Sequence, residues 1–113
     1  MSSSLYQQAI AIFEELIAFD TTSRSSNLDM IEWIEGYLRG FDIISHRISN
    51  TDKSKANLYA TIGPDVESGV ILSGHSDVVP VDGQDWSTDP WTLVEENGLF
   101  RGRGTCDMKG FIA

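Results

Sequence analysis

Val70-Ile71-Leu72-Ser73-Gly74-His75-Ser76-Asp77 carries an apolar triplet straight into a histidine and a carboxylate two residues apart. An apolar run without alternation is the pattern of a strand buried on both faces. Open α/β sheets place ligands at the carboxyl ends of their strands, so the triplet puts His75 and Asp77 at a ligand position. A second stretch, Gly102-Arg103-Gly104-Thr105-Cys106-Asp107-Met108-Lys109-Gly110, sets a lone carboxylate after a glycine-rich turn, where a helix is expected to open. Together they read as the first half of a metal site whose second half lies outside these 113 residues.

Working outward, Leu5, Ala9, Ile10, Phe13, Leu16 and Ile17 recur at helical spacing. Ser4 followed by Gln7 is a capping-box pair. Asp20 to Asn27 breaks the period and reads as a loop. Leu28, Ile31, Ile34 and Leu38 mark a second helix, with Asn27 or Ser26 as N-cap and Gly40 as the C′ glycine. Strands are expected over Ile43–Ile48, over Leu58–Ile62 and at Val70–Leu72. Thr92–Val94 and Leu99–Arg101 read as a hairpin around Asn97-Gly98, the favoured type I′ pair. Asp107 opens a final helix. Helices, then strands, then a helix start predict an α/β layer architecture.

Each candidate residue has a plainer alternative. A His-x-Asp pair at a strand end is often only hydrogen-bonded structure. As a metal site it allows two arrangements. In one, Asp77 fixes the His75 tautomer as an outer acceptor; in the other, both residues bind the ion. Asp107 taken locally is a first-turn acid favourable to the helix dipole. Gly102-x-Gly104 lacks phosphate-loop spacing, and Lys109 is misplaced for it. Cys106 reads as a buried structural thiol with no identifiable base. Trp86 and Trp91 read either as packing for a long loop or as a substrate mouth. His46 reads as a surface residue.

The bulk properties bound the function. With 113 residues there is room for one modest core, and 41% hydrophobic content with three Trp argues against disorder. A net charge of -9 disfavours nucleic acid and anionic membrane surfaces as partners. The single cysteine forbids an internal disulfide and fits a reducing compartment. No basic, apolar leader opens the chain, and no run approaches the roughly 18 apolar residues of a membrane helix. A cytoplasmic location is the expectation.

The run from Leu72 to Leu93, through Gly-His-Ser-Asp-Val-Val-Pro-Val-Asp-Gly-Gln-Asp-Trp, and the run from Leu99 to Ala113, through Gly-Thr-Cys-Asp-Met-Lys-Gly, together resemble the zinc aminoacylase and peptidase superfamily. Within it they resemble the acetylornithine deacetylase branch. Ala18-Phe19-Asp20-Thr21 and Asn57 to Gly63 fit the same pattern. The resemblance implies that residues 1–113 are the N-terminal part of a zinc-exopeptidase-like catalytic domain, with helices packed on a mixed, partly parallel sheet. The rest of that domain and a lid that dimerises the complete protein would lie elsewhere.

By motif, His75 corresponds to a zinc ligand, Asp107 to the carboxylate bridging two metals, and Asp77 to the aspartate that orients the histidine. The bond after Asp107 is often cis in such proteins. Two Zn2+ ions, or Co2+, and an N-acyl amino acid substrate are implied, with hydrolysis of its amide. The family's glutamate base and remaining ligands fall after the position of Asp107. Glu95 and Glu96 precede it and are not that pair.

Overall fold

The computed structural model describes residues 4–113. It forms two compact units: the stretch up to Ser25 together with Gly74–Ala113, and Ser26–Ser73.

In the first unit, α1 spans Leu5–Ala18. The capping box is present: Gln7 N donates to Ser4 Oγ at 3.2 Å, and Ser4 N donates to Gln7 Oε1 at 2.9 Å. Two otherwise orphaned N–H groups are thereby satisfied. Phe13, Leu16 and Ile17 form the buried stripe, whereas Leu5 at the helix start is exposed. The stripe packs on the glycine-rich turn and on the hairpin. Phe13 meets Phe100 edge-to-face at 5.7 Å. A Cβ at Gly102 would lie 3.0 Å from Ile17, and one at Gly110 would lie 3.3 Å from the Phe13 ring.

The hairpin pairs β3, Val94–Glu96, with β4, Leu99–Arg101, antiparallel. Asn97 (φ 54) and Gly98 (φ 74) make the predicted two-residue turn. The first strand starts two residues later than the apolar pattern suggests, because a two-residue turn holds the ladder flush against itself. The short α3, Lys109–Ile112, follows a cis Asp107–Met108 bond.

In the second unit, α2 spans Leu28–Arg39, with Met30 and Ile31 buried. β1, Ser45–Ser49, pairs antiparallel with β2, Ala56–Ala60, in the register Ser45↔Ala60. Both strands are displaced by about two residues from the hydrophobic runs that suggested them. Exposed His46 lies on β1, as expected of a surface residue. The helix α2 starts where expected, with Asn27 at the N-cap position. Ser26 Oγ accepts from Leu28 N at 3.1 Å, while the Asn27 amide bonds β2 instead. Its Oδ1 accepts from Ala56 N at 3.0 Å, and its Nδ2 donates to Ala56 O at 2.9 Å. At the other end Gly40 stays right-handed, and Asp42 (φ 58) is the left-handed residue. Ile43 N reaches Leu38 O and Asp42 N reaches Arg39 O, both at 3.1 Å, which is the Schellman pairing.

Replacing Asn27 with Ala strips both bonds from Ala56, a residue only 4% exposed. The expected loss is about 2 kcal/mol, because a buried N–H is left unpaired. Urea unfolding checks it; a loss under about 0.5 kcal/mol would mean that water replaces the amide.

The α/β class holds, with helices and two small antiparallel sheets. The parallel element is a single bridge, Thr22↔Val78. Val70, Ile71 and Leu72 depart from the buried-strand reading: they lie outside any strand and are 88%, 87% and 80% exposed. A strand exists only through its neighbours, and no described residue ladders with this run. No helix among the described residues is long and apolar enough to cross a membrane.

Candidate metal centre

Two segments far apart in sequence hold His75 in place. Asp20 Oδ1 accepts from Thr22 N at 3.0 Å and from Thr22 Oγ1 at 2.6 Å, which turns the chain out of α1. Thr21, Thr22 and Ser23 then run beside Ser76–Val78. Val78 N donates to Thr21 O and Ser23 N to Val78 O, both at 3.0 Å. The Thr21 hydroxyl donates to Ser76 O at 2.6 Å. Thr21, Thr22 and Val78 are buried, so this short ladder is shielded from water.

On the other flank, His75 N lies 3.3 Å from the Met108 sulfur. Gly74 packs closely on Met108, Phe111 and Ile112, where a Cβ would approach their side chains to 3.3–3.4 Å.

The three predicted site residues come together. His75 Nδ1 lies 3.0 Å from Asp77 O and 3.2 Å from Asp77 Oδ1. Both neighbours are acceptors, so Nδ1 carries a proton. Nε2 lies 2.8 Å from Asp107 Oδ1. With acceptors on both sides the ring favours its doubly protonated form. Its pKa is raised above the ordinary histidine value, first by Asp107 and next by the Asp77 carbonyl. The Asp77 carboxyl is held below its ordinary range, chiefly by the Ser23 hydroxyl at 2.6 Å and then by the His75 charge.

The donor chemistry suits a cation such as zinc: an imidazole nitrogen and a carboxylate oxygen meet directly at a solvent-exposed surface. Two ligands of one tetrahedral zinc, each at about 2.0–2.1 Å, sit roughly 3.3 Å apart. The observed 2.8 Å is a hydrogen bond, which would have to open by about half an ångström to admit an ion. Among the described residues no group of three or more His, Cys, Asp or Glu side chains gathers to hold a metal, so the pair is an incomplete ligand set.

Among the other residues singled out in sequence, one departs from expectation. Cys106 is exposed rather than buried. Glu96, in the hairpin, pairs with Arg101 at 3.1 Å. Trp86 stacks against the Arg103 guanidinium at 5.2 Å, so that loop packs on a cation. Lys109 is fully buried; its Nζ donates to Phe19 O at 2.6 Å and lies 5.7 Å from the Trp91 ring centre. Burial pushes its ammonium down to about 8. Its chemistry is unreadable in sequence, since a lysine after an acid normally signals a solvated helix start.

Residues 71–113 match the family described as Peptidase family M20/M25/M40. The chain is 40% identical over 111 residues to the acetylornithine deacetylase of Proteus mirabilis (strain HI4320), a match covering 96% of this chain and 28% of that protein. It is 38% identical over 112 residues to the acetylornithine deacetylase of Shigella sonnei (strain Ss046), covering 92% and 29%. A third acetylornithine deacetylase, from Buchnera aphidicola, is 37% identical over 112 residues. The chain therefore spans under a third of the length of these relatives.

Proposed function

We propose, on the premise that residues 71–113 match Peptidase family M20/M25/M40, that the chain contributes the first ligands of a zinc-dependent amide hydrolase. His75 and Asp107 would hold the metal and Asp77 would align the imidazole. The observation that carries this reading is the convergence of His75 Nε2 and Asp107 Oδ1 to 2.8 Å from positions 32 residues apart. A zinc pair in such a site supplies a water acidic enough to attack an amide at neutral pH, and positive charge for the developing oxyanion.

The substrate we propose is N2-acetylornithine, cleaved to ornithine and acetate within arginine biosynthesis. This choice rests on what the relatives are named for. A cytoplasmic homodimer, with residues 1–113 forming the N-terminal part of its catalytic domain, completes the reading. The general base and the remaining ligands belong to sequence outside these residues, so the 113-residue chain binds zinc weakly and does not hydrolyse substrate. A protein of the relatives' full length, assayed side by side on acetylornithine, succinyl-diaminopimelate and simple N-acetyl amino acids, separates the deacetylase from its cousins. Preference for either of the latter overturns the substrate assignment.

Zinc titration of the 113-residue chain by calorimetry tests the site itself. The expected dissociation constant is weaker than micromolar, and His75→Ala abolishes the heat. Sub-micromolar binding lost in that variant would refute the incomplete ligand set. Binding also depends on pH. A metal on Nε2 displaces a proton whose pKa is raised, so affinity falls as pH drops through that raised value.

A further inference from the structure

We infer that Ser23 is a positioning residue for the His75–Asp77 pair, its hydroxyl holding one oxygen of the Asp77 carboxylate so that the other faces the imidazole. The inference deepens the metal-hydrolase reading and rests on it only for the consequence to the metal.

The geometry is closed at each joint. The Ser23 backbone is fixed by its N–H to Val78 O at 3.0 Å, within the parallel bridge of Thr22 and Val78. From there its hydroxyl reaches Asp77 Oδ2 at 2.6 Å, with Val78 O a second acceptor at 3.2 Å. A hydroxyl has one proton to give, and the shorter contact to the charged oxygen takes it. The remaining oxygen, Asp77 Oδ1, lies 3.2 Å from His75 Nδ1.

The Asp77 side chain is 53% exposed, so packing does not hold its carboxylate in this rotamer. Without the Ser23 hydroxyl it is free to turn toward water. Nδ1 would then keep only the Asp77 carbonyl at 3.0 Å. The preference for a proton on Nδ1, which leaves the Nε2 lone pair for a metal, weakens accordingly.

The test reads the tautomer directly, in chain carrying 15N-labelled histidine, at a pH where the ring is neutral. Because Asp107 competes for a proton on Nε2, the comparison is made in the Asp107→Ala background. Long-range proton–nitrogen spectra give the ratio of Nδ1–H to Nε2–H forms for His75, with His46 on β1 as internal control. Ser23→Ala should lower that ratio, by less than the about fivefold of one full net hydrogen bond, since Nδ1 keeps the Asp77 carbonyl. Ser23→Thr should restore it, and His46 should not respond. Ser23 is exposed, and unchanged backbone amide shifts establish that Ser23→Ala still folds. A role confined to stability would shift the unfolding midpoint and leave the ratio alone.

An unchanged ratio in Ser23→Ala overturns the inference. Zinc added to the parent chain forms a separate arm, shifting the His75 ring but not His46 if the metal reading holds. A ratio that moves without any zinc response keeps Ser23 as the positioning residue and sinks the metal. A zinc response with an unmoved ratio does the reverse.

Discussion

Gly104→Ala is expected to cost the unit that carries the site about 3 kcal/mol. Gly104 has φ +87, a left-handed conformation worth roughly 1–2 kcal/mol against any residue with a Cβ. The added methyl would also stand 2.8 Å from Val78 Cγ1 and 3.2 Å from the Lys109 side chain. Val78 is 3% exposed and pinned by backbone bonds on both sides, so it has little room to yield. Overpacking of that kind adds about 1–3 kcal/mol.

Gly83→Ala isolates the two contributions. Gly83 has φ +71 but nothing within 4 Å of its Cβ position, so it bears the backbone cost alone. Urea midpoints of the two variants, followed by tryptophan fluorescence, should therefore differ clearly. Equal losses would mean that the Val78 contact relaxes at no cost. Gly104→Ala should also disturb the His75–Asp107 contact, since Lys109 N donates to Gly104 O at 2.9 Å and the intervening loop carries Asp107.

Lys109 gives the second large effect. Its ammonium has no exposed surface, and burial lowers its pKa from 10.5 to about 8. Between those values the unfolded chain binds the proton more readily than the folded one, so stability rises with pH across that window. Below pH 8 both states are protonated and the folded state bears the full cost of the buried charge. The gain has a ceiling of about 3 kcal/mol. Lys109→Met removes the titration while keeping an unbranched stem. The stability of the parent chain relative to this variant should be flat below pH 8 and then climb toward pH 10.5. A flat difference throughout would show that water reaches the ammonium.

The features legible in sequence were those written in short segments. Ser4 and Gln7, three residues apart, specify a helix start. Asn97-Gly98 specifies a turn by backbone sterics. The His75, Asp77 and Asp107 triad was named from motif. The pieces that hold it were not, because they join distant stretches. Ser23 meets Asp77 across 54 residues, and Lys109 meets Phe19 across 90. Nothing in Asp20 to Asn27, a polar run typical of a loop, announces a ladder with Ser76–Val78. The Val70–Leu72 triplet errs in the other direction. Its composition records what a strand there would need around it, and the described residues do not supply that surrounding. The left-handed residue after the second helix is Asp42 rather than Gly40, a placement the local sequence does not announce.

The openness of the candidate site has an electrical consequence. The His75 ring is 46% exposed and the Asp107 side chain 83% exposed, so their attraction runs through a medium close to bulk water. Opposite charges about 4 Å apart are worth about 1 kcal/mol at a dielectric constant of 80 and about 4 at 20. At physiological ionic strength the screening length is about 8 Å, so mobile ions weaken even that. The triad as it stands is aligned but electrostatically slack. Any surface that covers it and displaces solvent strengthens each charge contact several-fold without moving an atom of His75, Asp77 or Asp107.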